Sequence, residues 1–175
     1  MKIKIIDDCI SLEKQNNIIK ESLNNKYFPW FYKQDITSLR AGNQGRPALS
    51  HYYVLNRKTN SDFLDLILPI ITPHTKNSII QCRSFLQFPL NLKKYGTEYD
   101  SPHRDSSFPH TVYLYYVTDS DGDTLFLKNS KVVKKITPKQ GRLVIFDGDI
   151  EHTAKQPQDD VRCVINFDIQ EQYEF

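Results

Sequence analysis

The feature that most constrains the fold of this chain is a set of three potential metal ligands, of which one lies far from the other two. His103 and Asp105 stand two residues apart, and His152 follows 47 residues after Asp105. Side chains at positions i and i+2 of a β-strand point to the same face, so His103 and Asp105 can reach one point. Two imidazoles and one carboxylate on one face form the 2-His-1-carboxylate triad, which holds non-heme Fe(II) and leaves coordination positions open. The fold must therefore bring two distant segments together.

Short apolar runs around these ligands predict a mainly β structure between residues 79 and 170. Strands are predicted at Ile79–Phe88, Thr111–Thr118 and Gly141–Asp147, and a last strand opens at Arg162. About seven such strands, separated by turns, are typical of a sandwich or small barrel. Alternation in the second strand places Tyr115 and Tyr116 on opposite faces. The segment Asp119–Thr124 is predicted to be a hairpin turn, because its glycine does not stand where a calcium loop requires one.

At these residues the sequence resembles the 2-oxoglutarate- and Fe(II)-dependent dioxygenases, in particular their prolyl-4-hydroxylase-like branch of bacterial or phage type. The resemblance covers residues 79–170, about half of the chain. The motifs that carry it are His103-Arg-Asp105, Tyr115-Tyr116-Val117-Thr118, Asp121-Gly-Asp-Thr124, Gly141-Arg-Leu-Val-Ile-Phe-Asp147, His152 and Arg162. It implies a mainly β fold with flanking helices and a double-stranded β-helix core of the jelly-roll or cupin-like kind.

The resemblance also implies roles for individual residues. Fe(II) is expected to be held by His103, Asp105 and His152, which then form the catalytic centre. The far carboxylate of the co-substrate 2-oxoglutarate is expected to contact Arg162, whose fixed fork of donors suits a carboxylate, and Tyr116. The resemblance implies that such a site uses O2 to hydroxylate an unactivated C–H bond. It is also compatible with ascorbate as a further cofactor.

One position departs from the pattern of the relatives. Many of them have Arg-x-Ser, whereas this chain has Arg162-Cys163-Val164. The hydroxyl group that would assist Arg162 is missing at position 164. The departure bears on the affinity for 2-oxoglutarate and leaves the identity of the co-substrate unchanged.

Three functional interpretations remain open. The first is a hydroxylase that acts on a peptidyl residue, of the prolyl type, and the second is the same chemistry on a small molecule or nucleobase. The third is a non-catalytic jelly-roll metal-binding module, which the intact ligand set together with Arg162 disfavours. Asp168, in place of a second arginine, argues against the DNA-repair demethylase pattern. The primary substrate is not specified by the sequence.

Length and composition fit one domain over residues 1–175, with 1–78 as helical and strand support and 79–170 as the catalytic core. The net charge of +2 gives no reason to expect a nucleic-acid or membrane-surface partner. Three scattered cysteines argue against a disulfide framework and favour a reducing compartment. Because no leader and no apolar run of membrane length is present, a cytoplasmic location is expected.

In the N-terminal part, apolar periodicity and capping residues predict four elements. They are an edge strand at Lys2–Ile6, a helix at Ile10–Leu23 opened by Asp7 or Asp8, a strand at His51–Leu55, and a helix at Phe63–Ile71 capped by Ser61 or Asp62 and ended by Pro73. The aromatic segment Tyr27–Tyr32 is predicted to anchor this part on the core.

Several polar residues have no assigned role. Arg83 lies within an apolar strand and is more typical of a paired structural or surface residue. His110 is predicted not to be a ligand. Tyr95 and Tyr99 lie in a loop that is suited to flank the metal site, and Asn166 belongs to no motif.

Overall fold

The computed structural model of the chain describes residues 2–36, 46–91 and 98–170. Within these ranges the chain is mainly β, with two short α-helices. The strands are β1 (Ile3–Ile6), β2 (Phe31–Lys33), β3 (Ala48–Leu55), β4 (Lys58–Thr59), β5 (Ile79–Gln87), β6 (His110–Tyr116), β7 (Thr124–Lys128), β8 (Lys131–Ile136), β9 (Leu143–Asp147), β10 (His152–Ala154) and β11 (Arg162–Gln170). The helices are α1 (Leu12–Ser22) and α2 (Leu64–Ile67), the second continued by a 3-10 turn at Leu68–Ile70.

The strands form two antiparallel sheets. The large sheet has the order β1-β9-β6-β11-β5-β3-β2, with β4 paired to β3, and the small sheet has the order β10-β7-β8. Strand β11 lies between β5 and β6, so the last strand of the chain pairs with strands that are far away in sequence. In the described part of residues 79–170 there are seven strands, as the sequence predicted.

The central strand β11 is buried on both faces and separates two apolar clusters. On one face, Cys163, Ile165, Phe167 and Ile169 belong to the cluster that also contains residues of both helices. On the other face, Val164 packs with residues of the small sheet. The helices therefore cover one face of the large sheet, while the small sheet covers part of the other.

Strand β6 shows the predicted alternation. Tyr116 belongs to the cluster beneath the small sheet, and Tyr115 belongs to the cluster beneath the helices. Both rings are fully buried.

The first helix begins later than predicted. It starts at Leu12, and its N-cap is Ser11, whose Oγ accepts a hydrogen bond of 3.4 Å from the backbone N–H of Lys14. The prediction that Asp7 or Asp8 caps this helix is wrong. Asp7 instead accepts hydrogen bonds from a distant arginine, and Asp8 has a positive φ of 49° in the turn that leaves β1.

The second predicted helix, Phe63–Ile71, is only partly helical. The α-helix α2 has four residues, and a 3-10 turn that contains Pro69 follows it. Proline has no N–H to donate and its ring collides with the carbonyl one turn earlier, so the α-helical pattern does not continue. Ser61 does accept a hydrogen bond of 3.1 Å from the backbone N–H of Phe63.

The prediction of a hairpin turn at Asp119–Thr124 is wrong. The segment leads from β6 in the large sheet to β7 in the small sheet. Its carboxylates bond to other loops: Asp119 accepts from the N–H of Gln140 and Asp121 accepts from the N–H of Gln158. The hairpin lies between β7 and β8, where Asn129 and Ser130 both have positive φ, as two-residue hairpin turns require.

The aromatic segment Tyr27–Tyr32 anchors the chain through only two of its rings. Phe28 is buried and stacks at 5.1 Å on Trp30, whereas Tyr27, Phe31 and Tyr32 are exposed. In the described ranges, neither helix has the length and apolar character needed to cross a membrane.

Candidate functional site

His103 and His152 are brought together by backbone pairing. Each N–H donates to the other residue's carbonyl oxygen, at 3.0 Å in both directions, and this pair is an isolated bridge. His103 and Asp105 do not lie within a regular β-strand, since His103 forms only this isolated bridge and the chain bends at Asp105. The three side chains nevertheless converge.

The distances between the three side chains suit a single ion. Asp105 Oδ2 lies 3.4 Å from His152 Nε2, and Asp105 Oδ1 lies 3.8 Å from His103 Nε2. One ligand atom from each residue falls within 4.8 Å of the other two. These separations allow one ion to contact all three groups.

The hydrogen bonds of the two imidazoles leave their Nε2 atoms available. His103 Nδ1 lies 3.1 Å from the carbonyl oxygen of Ser101, and His152 Nδ1 lies 3.0 Å from that of Ile150. Since a carbonyl can only accept, each Nδ1 carries the proton and each Nε2 carries a lone pair. Metal-binding histidines are oriented in this way in proteins.

Electrostatics favour the metal-binding protonation states of His103 and Asp105. Burial, with the nearby imidazole of His152, lowers the pKa of His103 to about 4. Burial alone would raise the pKa of Asp105, but the hydrogen bond and charge of His152 and the charge of Arg83 lower it well below its usual range. Burial would lower the pKa of His152, but the protonated ring can donate from Nε2 to Asp105, which raises the pKa, so a metal ion at Nε2 would compete with this proton. Asp105 is therefore ionised, and a cation beside it is stabilised.

The register of the large sheet determines which residues face the site. Residues that are paired across adjacent strands point to the same face. Along β11 and β5 the inward pairs are Arg162 with Gln87, Val164 with Phe85, and Asn166 with Arg83. All six side chains line one cavity of about 530 Å³, together with the three potential metal ligands. This volume is in the usual range for a small-molecule site.

Arg162 lies buried at one part of this cavity. Its Nε donates to the carbonyl oxygen of Gly122 at 2.9 Å, its Nη1 to Gln87 Oε1 at 2.8 Å, and its Nη2 to Thr124 Oγ1 at 2.9 Å. A guanidinium has five N–H groups, so one remains on each terminal nitrogen. Burial lowers the pKa of Arg162, but an arginine stays protonated at physiological pH.

Tyr116 lies next to Arg162 but does not line the cavity. Its hydroxyl donates to Thr124 Oγ1 at 2.6 Å, and the Arg162 Cζ atom is 5.9 Å from the centre of its ring. The threonine hydroxyl thus joins the two residues that the sequence assigned to 2-oxoglutarate. Thr124 also places a hydroxyl beside Arg162, where the absence of serine at position 164 had suggested that none would be found.

A second layer of polar residues supports this arginine. Gln87 Nε2 donates to Asp100 Oδ2 at 3.0 Å, which fixes the amide so that its oxygen faces Arg162. Arg46 lies 3.5 Å from the other oxygen of Asp100. Burial raises the pKa of Asp100 to about 6, against the charges of Arg46 and Arg162. Sequence reasoning missed Gln87, which the pairing of β5 with β11 brings to the site, and Asp100, whose N–H donates to the carbonyl oxygen of Ala154 in β10.

Residues without an assigned role surround the Asp105 carboxylate. Arg83 Nη2 donates to its Oδ1 at 2.6 Å, and Asn166 Nδ2 donates to its Oδ2 at 3.2 Å. Asp168 lies nearby, and burial together with the charge of Asp105 raises its pKa to about 7. His110 forms a second close group with Asp105 and Asp168. Asn166 and Asp168 share the parity of Arg162 along β11, which was the signal that could have found them.

Of the two tyrosines predicted to flank the site, Tyr99 lies within the described residues. Tyr99 pairs with Lys155 in an isolated bridge and is partly exposed. Tyr95 lies outside the described residues.

Comparisons with known proteins agree with this site. Residues 90–169 match the family model described as the 2OG-Fe(II) oxygenase superfamily. A search of curated protein sequences gives no significant match. Among solved structures, an oxidoreductase of the 2OG-Fe(II) oxygenase family from Burkholderia pseudomallei has a TM-score of 0.71 at 10% identity, covering 95% of this chain and 84% of that one.

Two further structures are similar at comparable levels. The viral collagen prolyl hydroxylase vCPH from Paramecium bursaria Chlorella virus-1, in its 2OG complex, has a TM-score of 0.64 at 12% identity, covering 97% of this chain and 96% of that one. The non-heme alpha-ketoglutarate-dependent epimerase SnoN from nogalamycin biosynthesis also has a TM-score of 0.64, at 11% identity, covering 97% of this chain and 77% of that one.

The structural similarity confirms the fold class predicted from the sequence, a mainly β double-stranded β-helix with flanking helices. Two histidines and a carboxylate at one cavity are the donor set typical of non-heme Fe(II) oxygenases. Over residues 90–169, a little under half of its length, the chain matches the 2OG-Fe(II) oxygenase superfamily. Fe(II) and 2-oxoglutarate are the cofactor and co-substrate that this family implies.

Proposed function

We propose that this oxygenase hydroxylates an unactivated C–H bond of a peptidyl residue, with Fe(II) bound by His103, Asp105 and His152 and 2-oxoglutarate held by Arg162 and, through Thr124, by Tyr116. The observation that carries the proposal is the convergence of the three ligand groups on a cavity that also holds a buried arginine. Bound Fe(II) would supply the activation of O2 and the decarboxylation of 2-oxoglutarate to succinate.

The donor set fits a divalent ion that needs open positions. Both Nε2 atoms face Asp105, and the carboxylate is ionised. With one carboxylate oxygen, three protein donors would leave half of an octahedral sphere free for the co-substrate and O2. A site with a fourth protein ligand would be better suited to a structural role.

Arg162 fits the far carboxylate of a dicarboxylate. Within the described ranges its three hydrogen bonds go to neutral oxygens of Gly122, Gln87 and Thr124, so its charge is not matched by a direct ion pair. A buried charge without a partner is costly, and an anion that accepts its two remaining N–H groups would remove that cost. Tyr116 would act through the hydroxyl of Thr124, which it holds at 2.6 Å.

Two observations support a peptidyl substrate. The cavity extends to Lys33, Asp35 and Ile36 at the end of β2, an edge strand of the large sheet in the described residues. Phe31 and Tyr32 on this strand are exposed, and an extended peptide can pair with such an edge. The similarity to a viral collagen prolyl hydroxylase points in the same direction.

A small-molecule substrate is the second candidate. The similarity to the epimerase SnoN favours it, and a cavity of about 530 Å³ has room for a compact ligand beside 2-oxoglutarate.

We further infer that the protein is located in the cytoplasm, which its three free cysteines support. We also infer that residues 1–175 form one folded domain. Ascorbate is proposed as an accessory reductant.

Anaerobic binding followed by a substrate screen tests the proposal. Fe(II) and then 2-oxoglutarate are added under anaerobic conditions, and the metal-to-ligand absorbance is recorded. Air is then admitted with proline-containing peptides, with the same peptides carrying alanine in place of proline, or with small molecules, and succinate is measured. We expect the absorbance band, and substrate-dependent succinate with proline peptides only. Absence of the band would refute the metal and co-substrate assignments, while succinate with small molecules alone would establish the second candidate.

A further inference from the structure

The two oxygens of the Asp105 carboxylate have different surroundings. Oδ1 accepts a short hydrogen bond of 2.6 Å from Arg83 Nη2. Oδ2 is the oxygen closer to an imidazole, at 3.4 Å from His152 Nε2. Oδ2 also accepts a hydrogen bond of 3.2 Å from Asn166 Nδ2. The carboxylate is therefore oriented from two sides by donors of the large sheet.

Arg83 is held firmly in this position. It lies within β5, in register with Tyr52 on one side and Asn166 on the other. Its guanidinium carbon is 5.3 Å from the centre of the Phe85 ring, a cation–π distance. Its side chain is 17% exposed, so few alternative positions are open to it. A side chain locked by packing can hold a ligand group precisely enough to determine how it binds.

The orientation of Asp105 affects how many positions a bound ion keeps open. An octahedral ion with one oxygen from Asp105 and two imidazoles has three open positions. 2-Oxoglutarate, as a chelate, takes two, which leaves one for O2. If Asp105 bound through both oxygens, 2-oxoglutarate would fill the sphere and O2 would have no position.

We propose that Arg83 is a positioning residue that keeps Oδ1 of Asp105 off the metal, so that the carboxylate binds through Oδ2 alone and one coordination position stays open for O2. The inference rests on the proposed function, because it assumes that Asp105 is a metal ligand. In this role Arg83 binds neither the substrate nor 2-oxoglutarate. It also explains why β5 carries a charged residue in its middle.

Water-proton relaxation of the Mn(II)-loaded protein tests this directly, since it counts exchangeable positions on the metal without requiring turnover. Arg83→Met keeps much of the length of the side chain and removes its donors. We expect this variant to bind Mn(II) at least as tightly as the wild type, with a relaxation enhancement lower by about one third, as two open positions replace three. With saturating 2-oxoglutarate, the wild type should keep a residual enhancement and Arg83→Met should lose it. Arg83→Lys, which still offers a charged donor, should restore much of the wild-type value.

Arg142→Met is the matched control. Arg142 donates to Asp7 at 2.6 Å, the same distance as in the pair of Arg83 with Asp105, but near the surface. This control should leave the Mn(II) enhancement unchanged. Arg83→Gln serves as a second variant if Arg83→Met does not fold, as judged by circular dichroism, and should behave like it.

The outcomes separate two kinds of failure. Wild-type relaxation in folded Arg83→Met or Arg83→Gln, with and without 2-oxoglutarate, would overturn the role of Arg83 and leave the metal site intact. A wild-type protein that binds no Mn(II) and no Fe(II) would instead refute the proposed metal site, and the inference would fall with it. A loss of enhancement in Arg83→Lys as large as in Arg83→Met would also contradict the positioning role.

Discussion

Replacing Arg162 by Lys probes the co-substrate end of the cavity. The lysine keeps a positive charge but exchanges a planar fork for a single ammonium group. In the structure three N–H groups of Arg162 bond to Gly122, Gln87 and Thr124, and two remain for a carboxylate. An ammonium has only three N–H groups, so it cannot satisfy these acceptors and also bind a carboxylate at two points.

The expected loss follows from the number of hydrogen bonds. One hydrogen bond to a charged group contributes about 1.5 to 3 kcal/mol, which corresponds to roughly one to two decades in Kd. Arg162→Lys should weaken 2-oxoglutarate binding by this amount, and Arg162→Ala should weaken it more, because the bound carboxylate would then face no counter-charge. Tyr116→Phe should lose less, because only a neutral donor to Thr124 is removed.

The assay is an anaerobic titration of 2-oxoglutarate into the Fe(II) protein, followed by the metal-to-ligand absorbance. Fe(II) affinity is measured in parallel and should be nearly unchanged, since no atom of Arg162 bonds to the three ligand side chains. Arg142→Lys is the matched control, as its pair with Asp7 lies near the surface. Equal 2-oxoglutarate affinities of the wild type and Arg162→Ala would remove the co-substrate assignment.

Three further predictions concern the same cavity. His103→Ala or His152→Ala should abolish tight Fe(II) binding, as measured by metal titration, and wild-type affinity in both would refute the ligand set. In Gly122→Ala, the added Cβ would lie 2.9 Å from Arg162 Cδ and 3.0 Å from the carbonyl oxygen of Lys155, which is too close for either atom. This variant should therefore bind 2-oxoglutarate several-fold more weakly in a ligand titration, and its free energy of unfolding in urea should be lower by about 1 to 3 kcal/mol. Because Asp105 occupies the position at which related halogenases have a small residue, products formed in chloride buffer should gain one oxygen by mass spectrometry, and a chlorinated product would contradict this expectation.

The proximity of His103 and Asp105 could be predicted from the sequence because it rests on local facts. A His-x-Asp pair places two side chains near each other in any extended or bent backbone, and the structure keeps them together although it has no strand there. Strand parity predicted the two faces of β6 correctly for the same reason. Local geometry could not show which distant residue lies beside His103 and Asp105.

Two residues that sequence reasoning did not place at the site, Gln87 and Arg83, are brought there by long-range pairing. Gln87 reaches Arg162, and Arg83 reaches Asp105, only because β5 pairs with β11 in one particular register. A turn-forming segment such as Asp119–Thr124 has the same composition whether it closes a hairpin or crosses between sheets, so its role could not be deduced locally. The break of the second helix at Pro69 is different, because proline within a helical pattern was a readable local signal.

The apolar face of β11 specifies the position of the polar site on its opposite face. Cys163, Ile165, Phe167 and Ile169 are buried beneath the helices, whereas at the alternate positions Arg162 and Asn166 line the cavity and Asp168 lies close to Asp105. A slip of one residue in the pairing of β11 would turn the charged residues into the helix-covered core and the apolar residues into the cavity. Burying even one unpaired charge costs several kcal/mol, so the packing of the helices against β11 excludes the shifted register. The geometry of the candidate site therefore depends on apolar residues that do not line its cavity.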